Sequence, residues 1–80
     1  MNVSVVGSGY VGTTLAASLA DVGHDVTAID VDPDVVSALN DGRAAIHEPG
    51  LDELLSRHAG GRLRATTSYD SVSDSDLILL

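Results

Sequence analysis

The sequence predicts an α/β protein with a parallel sheet and crossover helices, truncated after about four strands. Three observations lead to this prediction. Segments typical of strands and helices alternate along the chain, a glycine-rich turn directly follows the first strand, and an acidic residue ends the second. With 80 residues, the chain is long enough for one small domain.

The first half of the chain predicts two strands, each followed by a helix. Residues 2–6 (NVSVV) and 25–29 (DVTAI) are short apolar runs rich in β-branched residues, as strands are. Between them, residues 11–22 repeat apolar side chains at helical spacing, and Gly23 is placed to end that helix. The second helix is expected to begin at Pro33 with Asp32 as its cap, and to end near Gly42.

The second half predicts one more helix and two more strands. Residues 51–58 carry apolar side chains on one helical face, and Asp52 and Glu53 suit the first turn of that helix. Residues 62–67 are the expected third strand, and residues 68–75 a polar connection with a short helix. The run LILL at 77–80 is typical of a buried parallel strand. Because a chain rarely stops inside its core sheet, we expect residues 1–80 to be the N-terminal part of a longer protein.

Composition narrows the possible partners. Four Arg, no Lys and 12 acidic residues give a net charge of −8, which repels phosphate backbones and anionic lipids. We therefore expect neither nucleic acid nor a membrane as a partner. Without cysteine there is no disulfide, Cys-ligated metal or thiol catalysis in these residues. The N-terminus lacks the basic region of a signal peptide, so we expect a cytoplasmic protein.

The type of acidic residue leaves two interpretations open. Ten of the 12 acidic residues are Asp. A surface with many carboxylates and no lysine is suited to high salt, where carboxylates keep a protein hydrated and soluble. The chain is equally well explained as a small protein that is merely acidic.

The glycine-rich turn carries the functional prediction. Gly7-Ser8-Gly9-Tyr10-Val11-Gly12 fits G-x-G-x-x-G, a pattern that is weak alone but here lies between a predicted strand and a predicted helix. Gly7 would allow the tight turn, Gly9 would let a pyrophosphate approach the backbone, and Gly12 would let the helix pack close to the sheet. Backbone N–H groups near Tyr10 and Val11 would point at the phosphates, while both side chains pack within the protein. The sequence therefore predicts a Rossmann-type dinucleotide-binding site.

Asp30 predicts which dinucleotide is bound. A carboxylate at the end of the second strand accepts hydrogen bonds from the adenosine ribose hydroxyls and would repel a 2′-phosphate. Residues 31–36 (VDPDVV) contain no Arg or Lys to neutralise such a phosphate, so we expect NAD rather than NADP. FAD proteins use the same glycine pattern and are excluded less firmly. An S-adenosylmethionine site is disfavoured because residues 2–6 contain no acidic residue.

No second chemical site is predicted. His24, His47 and His58 are far apart in sequence and lack the spacing of metal ligands, so surface or packing roles are favoured for all three. No arrangement of Ser, His and Asp indicates a catalytic triad, and we expect no catalytic and no metal-binding residue in the chain.

Two separate motifs resemble one known family. Gly9-Tyr10-Val11-Gly12, Gly23-His24-Asp25-Val26 and Asp30-Val31-Asp32 resemble the N-terminus of the UDP-glucose/GDP-mannose dehydrogenase family, above all the UDP-glucose 6-dehydrogenases. Residues 46–55 (IHEPGLDELL) resemble the family segment P-I-x-E-P-G-L-x-x-L, and residues 61–67 and 75–80 resemble its third and fourth strands. The resemblance spans the whole chain in register.

This resemblance implies an enzyme that oxidises C6 of a nucleotide sugar to a carboxylate while two NAD are reduced. It favours UDP-glucose as substrate, with GDP-mannose or a UDP-N-acetyl-hexosamine as alternatives, and implies a homo-oligomer. It places Gly7, Gly9, Tyr10, Val11, Gly12 and Asp30 at NAD-binding positions. The catalytic cysteine and lysine of the family would lie beyond Leu80, so residues 1–80 alone should not turn over substrate.

Two departures and one alternative qualify the resemblance. Val35 stands where the family usually has a basic residue near the adenosine, and Ala45 replaces the Pro of the conserved segment. Glu48-Pro49-Gly50 is explained by a turn that starts a helix, with substrate or subunit contact as a second interpretation. A non-enzymatic NAD-sensing regulatory module, which would use the same glycines and the same acid, is the alternative function.

Overall fold

The computed structural model describes residues 1–7, 9–44 and 48–80, and every predicted element lies in these ranges. The strands are β1 (Asn2–Val6), β2 (Asp25–Ile29), β3 (Leu63–Thr66) and β4 (Leu77–Leu79). The helices are α1 (Tyr10–Val22), α2 (Pro33–Asn40) and α3 (Leu51–His58), and a 3-10 helix spans Asp70–Asp74. The predicted order of strands and helices is confirmed.

All four strands are parallel and lie in the order β3-β2-β1-β4. Val6 pairs with Ile29, Ile29 pairs with Thr66, and Val5 pairs with Leu79, so the carboxyl ends of the strands share one edge. The chain moves outward from β1 through β2 to β3 and then returns to the other side of β1. Such a reversal of strand order creates a crevice at the carboxyl ends of β1 and β4, where open α/β sheets bind ligands.

The ends of α1 and α2 follow the local chemistry that the sequence predicts. Gly23 adopts a left-handed conformation with φ 119°, and its N–H donates to the carbonyls of Ala20 and Leu19 at the end of α1. The side chain of Asp32 accepts a hydrogen bond from the N–H of Asp34, and Pro33 occupies the first helical position of α2. Both caps are confirmed.

The core lies between the sheet and the three helices. Ala17 and Ala20 of α1 are fully buried, and their short side chains let the helix approach the sheet closely. Leu55 of α3 and Leu63 of β3 fill the space beside them. The helices pack mainly over β1, β2 and β3, and the glycine-rich turn connects β1 to α1 of this helical layer.

The prediction that residues 77–80 form a buried strand is half correct. Leu77–Leu79 is a strand, but Leu77 and Ile78 are each 43% exposed and Leu80 is 99% exposed. An apolar run predicts the strand, whereas burial depends on what packs against both of its faces. Within residues 1–80, β4 is the outer strand beside β1, and the helices lie over the other three strands. Within the described ranges, no helix has the length and apolar character needed to cross a membrane.

Candidate functional site

The glycine-rich turn leaves β1 at the edge where the strands end. Gly7 has a φ of +90°, a left-handed conformation that side chains disfavour. Its N–H donates a hydrogen bond of 2.7 Å to the carbonyl of Ile29, the last residue of β2. The turn is therefore fixed beside the end of β2, one residue before Asp30.

Gly9 and Gly12 lack side chains for different reasons. A Cβ at Gly12 would lie 2.0 Å from the carbonyl oxygen of Gly7 and 3.7 Å from Cγ1 of Val5, so only glycine allows α1 to pack against the turn. A Cβ at Gly9 would meet nothing within 4 Å. The protein therefore needs glycine at position 12 for its own packing, while the open space at Gly9 is available to a ligand.

The N-terminus of α1 is suited to an anion. Its first helical hydrogen bond runs from the N–H of Thr13 to the carbonyl of Gly9 at 2.8 Å, so the N–H groups of Tyr10, Val11 and Gly12 point out of the helix end. Gly9 supplies no side-chain cap, and the first turn contains no acidic residue. Negative charge is favoured at such an end because the helix dipole is positive there.

The other two helices begin differently. α2 is capped by Asp32 and has Asp34 in its first turn, and α3 has Asp52 and Glu53 in its first turn. Carboxylates of the protein itself thus already occupy the positive ends of these two helices. In a chain with 12 acidic residues, the start of α1 is kept free of them.

A cavity of about 420 Å³ opens at the carboxyl ends of β1 and β4, the switch point at which the strand order reverses. Its volume lies in the range of ligand pockets, roughly 300–1,000 Å³. Its walls include Gly7, Gly9, Gly12, Val11, Leu15 and Leu79. Glycines of the turn and of α1 form one side of this cavity, and apolar residues of β1, of α1 and of the end of the chain line the rest.

Val11 corrects one expectation. Its side chain is 73% exposed, so the prediction that it packs within the protein is wrong. Val11 lies in the first turn of α1, where it forms part of the cavity wall and is not covered by the core. The side chain of Tyr10 and the whole of Ser8 lie outside the described part of the chain.

Asp30 lies at the end of β2 and is half-buried. Its N–H donates to the carbonyl of Thr66 at 3.1 Å, and its Oδ1 accepts from the N–H of Asp32 at 2.9 Å. These two bonds fix the backbone and orient the carboxylate. Because Gly7 is hydrogen-bonded to Ile29, the residue before Asp30, the Asp30 carboxylate and the glycine turn lie at neighbouring positions where the strands end.

The histidines that are described have structural partners. Nε2 of His58 lies 2.9 Å from Oδ1 of Asp21, and Arg57 contacts the same oxygen at 3.3 Å. The hydrogen bond from His58, followed by that from Arg57, lowers the pKa of Asp21 below its ordinary value. Nδ1 of His24 lies 3.2 Å from the N-terminal amine, and His47 is outside the described residues. Across residues 1–7, 9–44 and 48–80, no cluster of three or more His, Asp or Glu could hold a metal ion.

Sequence reasoning missed two features of the site. Leu79 forms a cavity wall, which depends on the pairing of β4 with β1 and has no local signal. The absence of acidic residues from the first turn of α1 could have been noticed, because residues 10–13 read YVGT in a chain rich in Asp.

Comparison with known proteins supports the family resemblance of the sequence. Residues 1–80 match the family model described as the UDP-glucose/GDP-mannose dehydrogenase family, NAD binding domain. The chain is 60% identical over 80 residues to UDP-glucose 6-dehydrogenase AglM of Haloferax volcanii. This match covers 100% of the chain and 19% of the Haloferax protein. The chain is 42% identical over 82 residues to UDP-glucose 6-dehydrogenase YwqF of Bacillus subtilis, with the same coverage of 100% and 19%.

Solved structures share the fold. A ternary complex of GDP-mannose dehydrogenase from Pseudomonas aeruginosa matches with a TM-score of 0.92 and 40% identity over 98% of this chain and 18% of the other. A UDP-glucose dehydrogenase from Pyrobaculum islandicum matches with a TM-score of 0.88 and 42% identity over 96% and 18%. The chain thus spans less than a fifth of the length of these proteins. The predicted α/β fold, a parallel sheet with crossover helices of the Rossmann type, is confirmed.

Proposed function

The chain belongs to the UDP-glucose/GDP-mannose dehydrogenase family, and on this basis we propose that it forms the NAD-binding part of a nucleotide-sugar 6-dehydrogenase. NAD is the cofactor of the matched domain. The observation that carries the proposal is the cradle at the switch point, where Gly12 packs on the carbonyl of Gly7 and the space beside Gly9 is open.

The glycine turn is proposed to hold the pyrophosphate. The N–H groups at the start of α1 would donate to its oxygens, and the positive end of the helix dipole would stabilise its charge. Gly9 would let the phosphate approach the backbone, since any side chain there would project into the open space. Gly7 and Gly12 would keep the turn rigid, so that little ordering is needed on binding.

Asp30 is proposed to bind the adenosine ribose. Its carboxylate is oriented by the N–H of Asp32 and could accept hydrogen bonds from the ribose hydroxyls. A 2′-phosphate would meet the charge of Asp30, and residues 31–36 supply no Arg or Lys to offset it. The proposed preference is therefore for NAD over NADP.

The chemistry of the complete enzyme would be a stepwise oxidation of an alcohol to a carboxylate. When bound, NAD would supply the hydride acceptor, one NAD for each of the two steps. Residues 1–80 would bind and orient the cofactor, and they contain neither Cys nor Lys. We propose that the residues that act on the sugar lie outside these 80, and that residues 1–80 alone are catalytically inactive.

The proposed substrate is UDP-glucose. The 60% identity to a UDP-glucose 6-dehydrogenase supports this choice over GDP-mannose, since a GDP-mannose 6-dehydrogenase of Pseudomonas syringae is 39% identical. A UDP-N-acetyl-hexosamine is a further alternative, because a UDP-N-acetyl-mannosamine dehydrogenase from Staphylococcus aureus shares the fold at a TM-score of 0.86. We also propose that the complete protein acts as a cytoplasmic homo-oligomer.

Formation of NADH by the complete natural gene product tests this proposal. UDP-glucose, GDP-mannose and UDP-N-acetylmannosamine would each be supplied with NAD, and NADH would be followed by absorbance. We expect two NADH per UDP-glucose and little reaction with the other two sugars. Preference for another sugar would replace the substrate assignment. NAD binding without turnover of any nucleotide sugar would favour the regulatory module instead.

A further inference from the structure

Asn40, the last residue of α2, forms two hydrogen bonds to a single residue of β3. Its Nδ2 donates to the carbonyl of Ala65 at 3.0 Å, and its Oδ1 accepts from the N–H of Ala65 at 2.9 Å. One planar amide thus satisfies both backbone groups of Ala65. A neighbouring strand residue would offer the same pair of groups.

Ala65 needs such a partner because β3 is an edge strand. The carbonyls of Arg62 and Thr66 accept from Val26 and from Asp30, so both point toward β2. Backbone groups alternate in direction along a strand, and those of Ala65 therefore point outward. Without Asn40 they would be an open template for another strand.

The two bonds also close a ring of contacts around Asp30. The ring runs from Asp30 to the N–H of Asp32, from Asp32 to the N–H of Asp34, and along α2 to Asn40. It continues from Asn40 to Ala65 in β3 and returns through the adjacent carbonyl of Thr66 to the N–H of Asp30. Each link is a hydrogen bond of 3.2 Å or less or a stretch of regular structure.

We propose that Asn40 is a positioning residue for the carboxylate of Asp30, an inference that rests on the proposed role of Asp30 in binding the adenosine ribose. α2 has eight residues, a length at which an isolated helix is marginal in water. It is held by Asp32 at one end and by Asn40 at the other. Releasing the Asn40 end would leave only apolar packing, including that of Leu39, between this end of α2 and β3, so the two could shift relative to each other. Both are hydrogen-bonded to Asp30, α2 through Asp32 and β3 through Thr66.

Three variants of the complete natural gene product separate positioning from stability. Asn40→Ala removes both bonds. Asn40→Asp keeps an acceptor for the N–H of Ala65 but places a second carboxylate oxygen against its carbonyl, so it loses one bond with little change in shape. Leu39→Val is the matched control. Leu39 is 3% exposed, and its truncation weakens the packing of α2 without removing any hydrogen bond of the ring.

The decisive readout compares NAD with its analogue lacking the 2′-hydroxyl of the adenosine ribose. The ratio of the two dissociation constants measures the contact of the ribose with Asp30. In the wild type we expect this ratio to be about tenfold, the value of one hydrogen bond to a charged group. In Asn40→Ala and Asn40→Asp the ratio should fall toward 1. Leu39→Val should lower the melting temperature and leave the ratio unchanged.

Hydrogen exchange of the Ala65 amide gives a readout that is independent of the cofactor. We expect slow exchange in the wild type and in Leu39→Val, and fast exchange in Asn40→Ala. An unchanged rate, or a wild-type ratio retained in both Asn40 variants, would overturn the inference. A wild-type protein that binds NAD without discriminating the 2′-hydroxyl would instead refute the role of Asp30 on which the inference rests.

Discussion

Within residues 1–80, the two outer strands of the sheet, β3 and β4, differ in how they are covered. At β3 the outward groups have partners from the chain itself, since Asn40 pairs with Ala65 and the N–H of Gly60 donates to the carbonyl of Leu63 at 3.0 Å. Leu63 is 1% exposed. At β4 the side chain of Leu77 is 43% exposed, and the open cavity lies beside this strand.

This difference separates what stabilises the fold from what forms the site. The β3 side carries the helix-covered core, whose buried apolar area supplies most of the folding free energy. The β4 side carries the switch point, where backbone groups and open space are kept available to a ligand. Changes on the β3 side should alter stability, and changes on the β4 side should alter ligand binding.

Substitutions of the motif glycines should have the largest effects on unfolding free energy and on NAD affinity. Gly12→Val would force side-chain atoms against the carbonyl of Gly7, so we expect a loss of at least about 3 kcal/mol in unfolding free energy together with loss of NAD binding. Gly9→Ala has open space and an ordinary φ of −65°, and should leave stability within about 0.5 kcal/mol while weakening NAD at least tenfold. Urea denaturation and calorimetric titration measure the two effects.

A matched control for the glycines is Gly61→Ala, whose added Cβ would meet the His58 carbonyl at an ordinary 3.5 Å. It should change neither property. A Gly12→Val protein that folds and binds as the wild type does would contradict the packing role assigned to that glycine.

Truncating one leucine on the helix-covered side and one in β4 should sharpen the comparison. Leu55→Ala empties a site that is 0% exposed and should cost roughly 3 kcal/mol of unfolding free energy. Leu77→Ala acts on a side chain that is 43% exposed and should cost about 1 kcal/mol or less. Urea denaturation of both variants checks the difference. Equal losses would mean that β4 is as well packed as the helix-covered core.

The smallest effect is expected from the contact of α1 with α3, on the helix-covered side. Because the pKa of Asp21 is lowered in the folded state, its stabilisation is present above the ordinary value of 3.8 and is lost as the pH falls through the lowered pKa. Wild type and Asp21→Asn should therefore differ in urea midpoint near neutral pH and converge in strong acid. Glu53→Gln, which removes the other carboxylate that contacts Arg57, is the control. A difference that does not change with pH would refute this linkage.

The elements could be predicted because their signals are local. The β-branched run at residues 2–6, the cap residues Asp32 and Gly23, and the three motif glycines each act on their own neighbourhood in the chain. The structure places them as their chemistry requires. Asp30 could be proposed as the ribose-binding acid in the same way, from its place directly after the second apolar run.

The features that were missed depend on topology. An apolar run at 77–80 predicts a strand, but its place in the strand order cannot be read from that run, and within residues 1–80 it is an outer strand with exposed side chains. Asn40 looks like an ordinary polar residue at the end of a helix, and its partner Ala65 lies 25 positions away. Exposure of Val11 likewise follows from its place in the first turn of α1, where it is not covered by the core.

The most direct test of the account is the affinity of the complete natural gene product for NAD and NADP, measured by calorimetric titration in the wild type, Asp30→Asn and Asp34→Asn. Asp34 is the exposed control, one position beyond Pro33, and undergoes the same loss of charge. We predict that the wild type prefers NAD by at least about tenfold, that Asp30→Asn weakens NAD and narrows the preference, and that Asp34→Asn retains both. A preference that survives in Asp30→Asn, or a wild type that binds neither dinucleotide, would contradict the site described here.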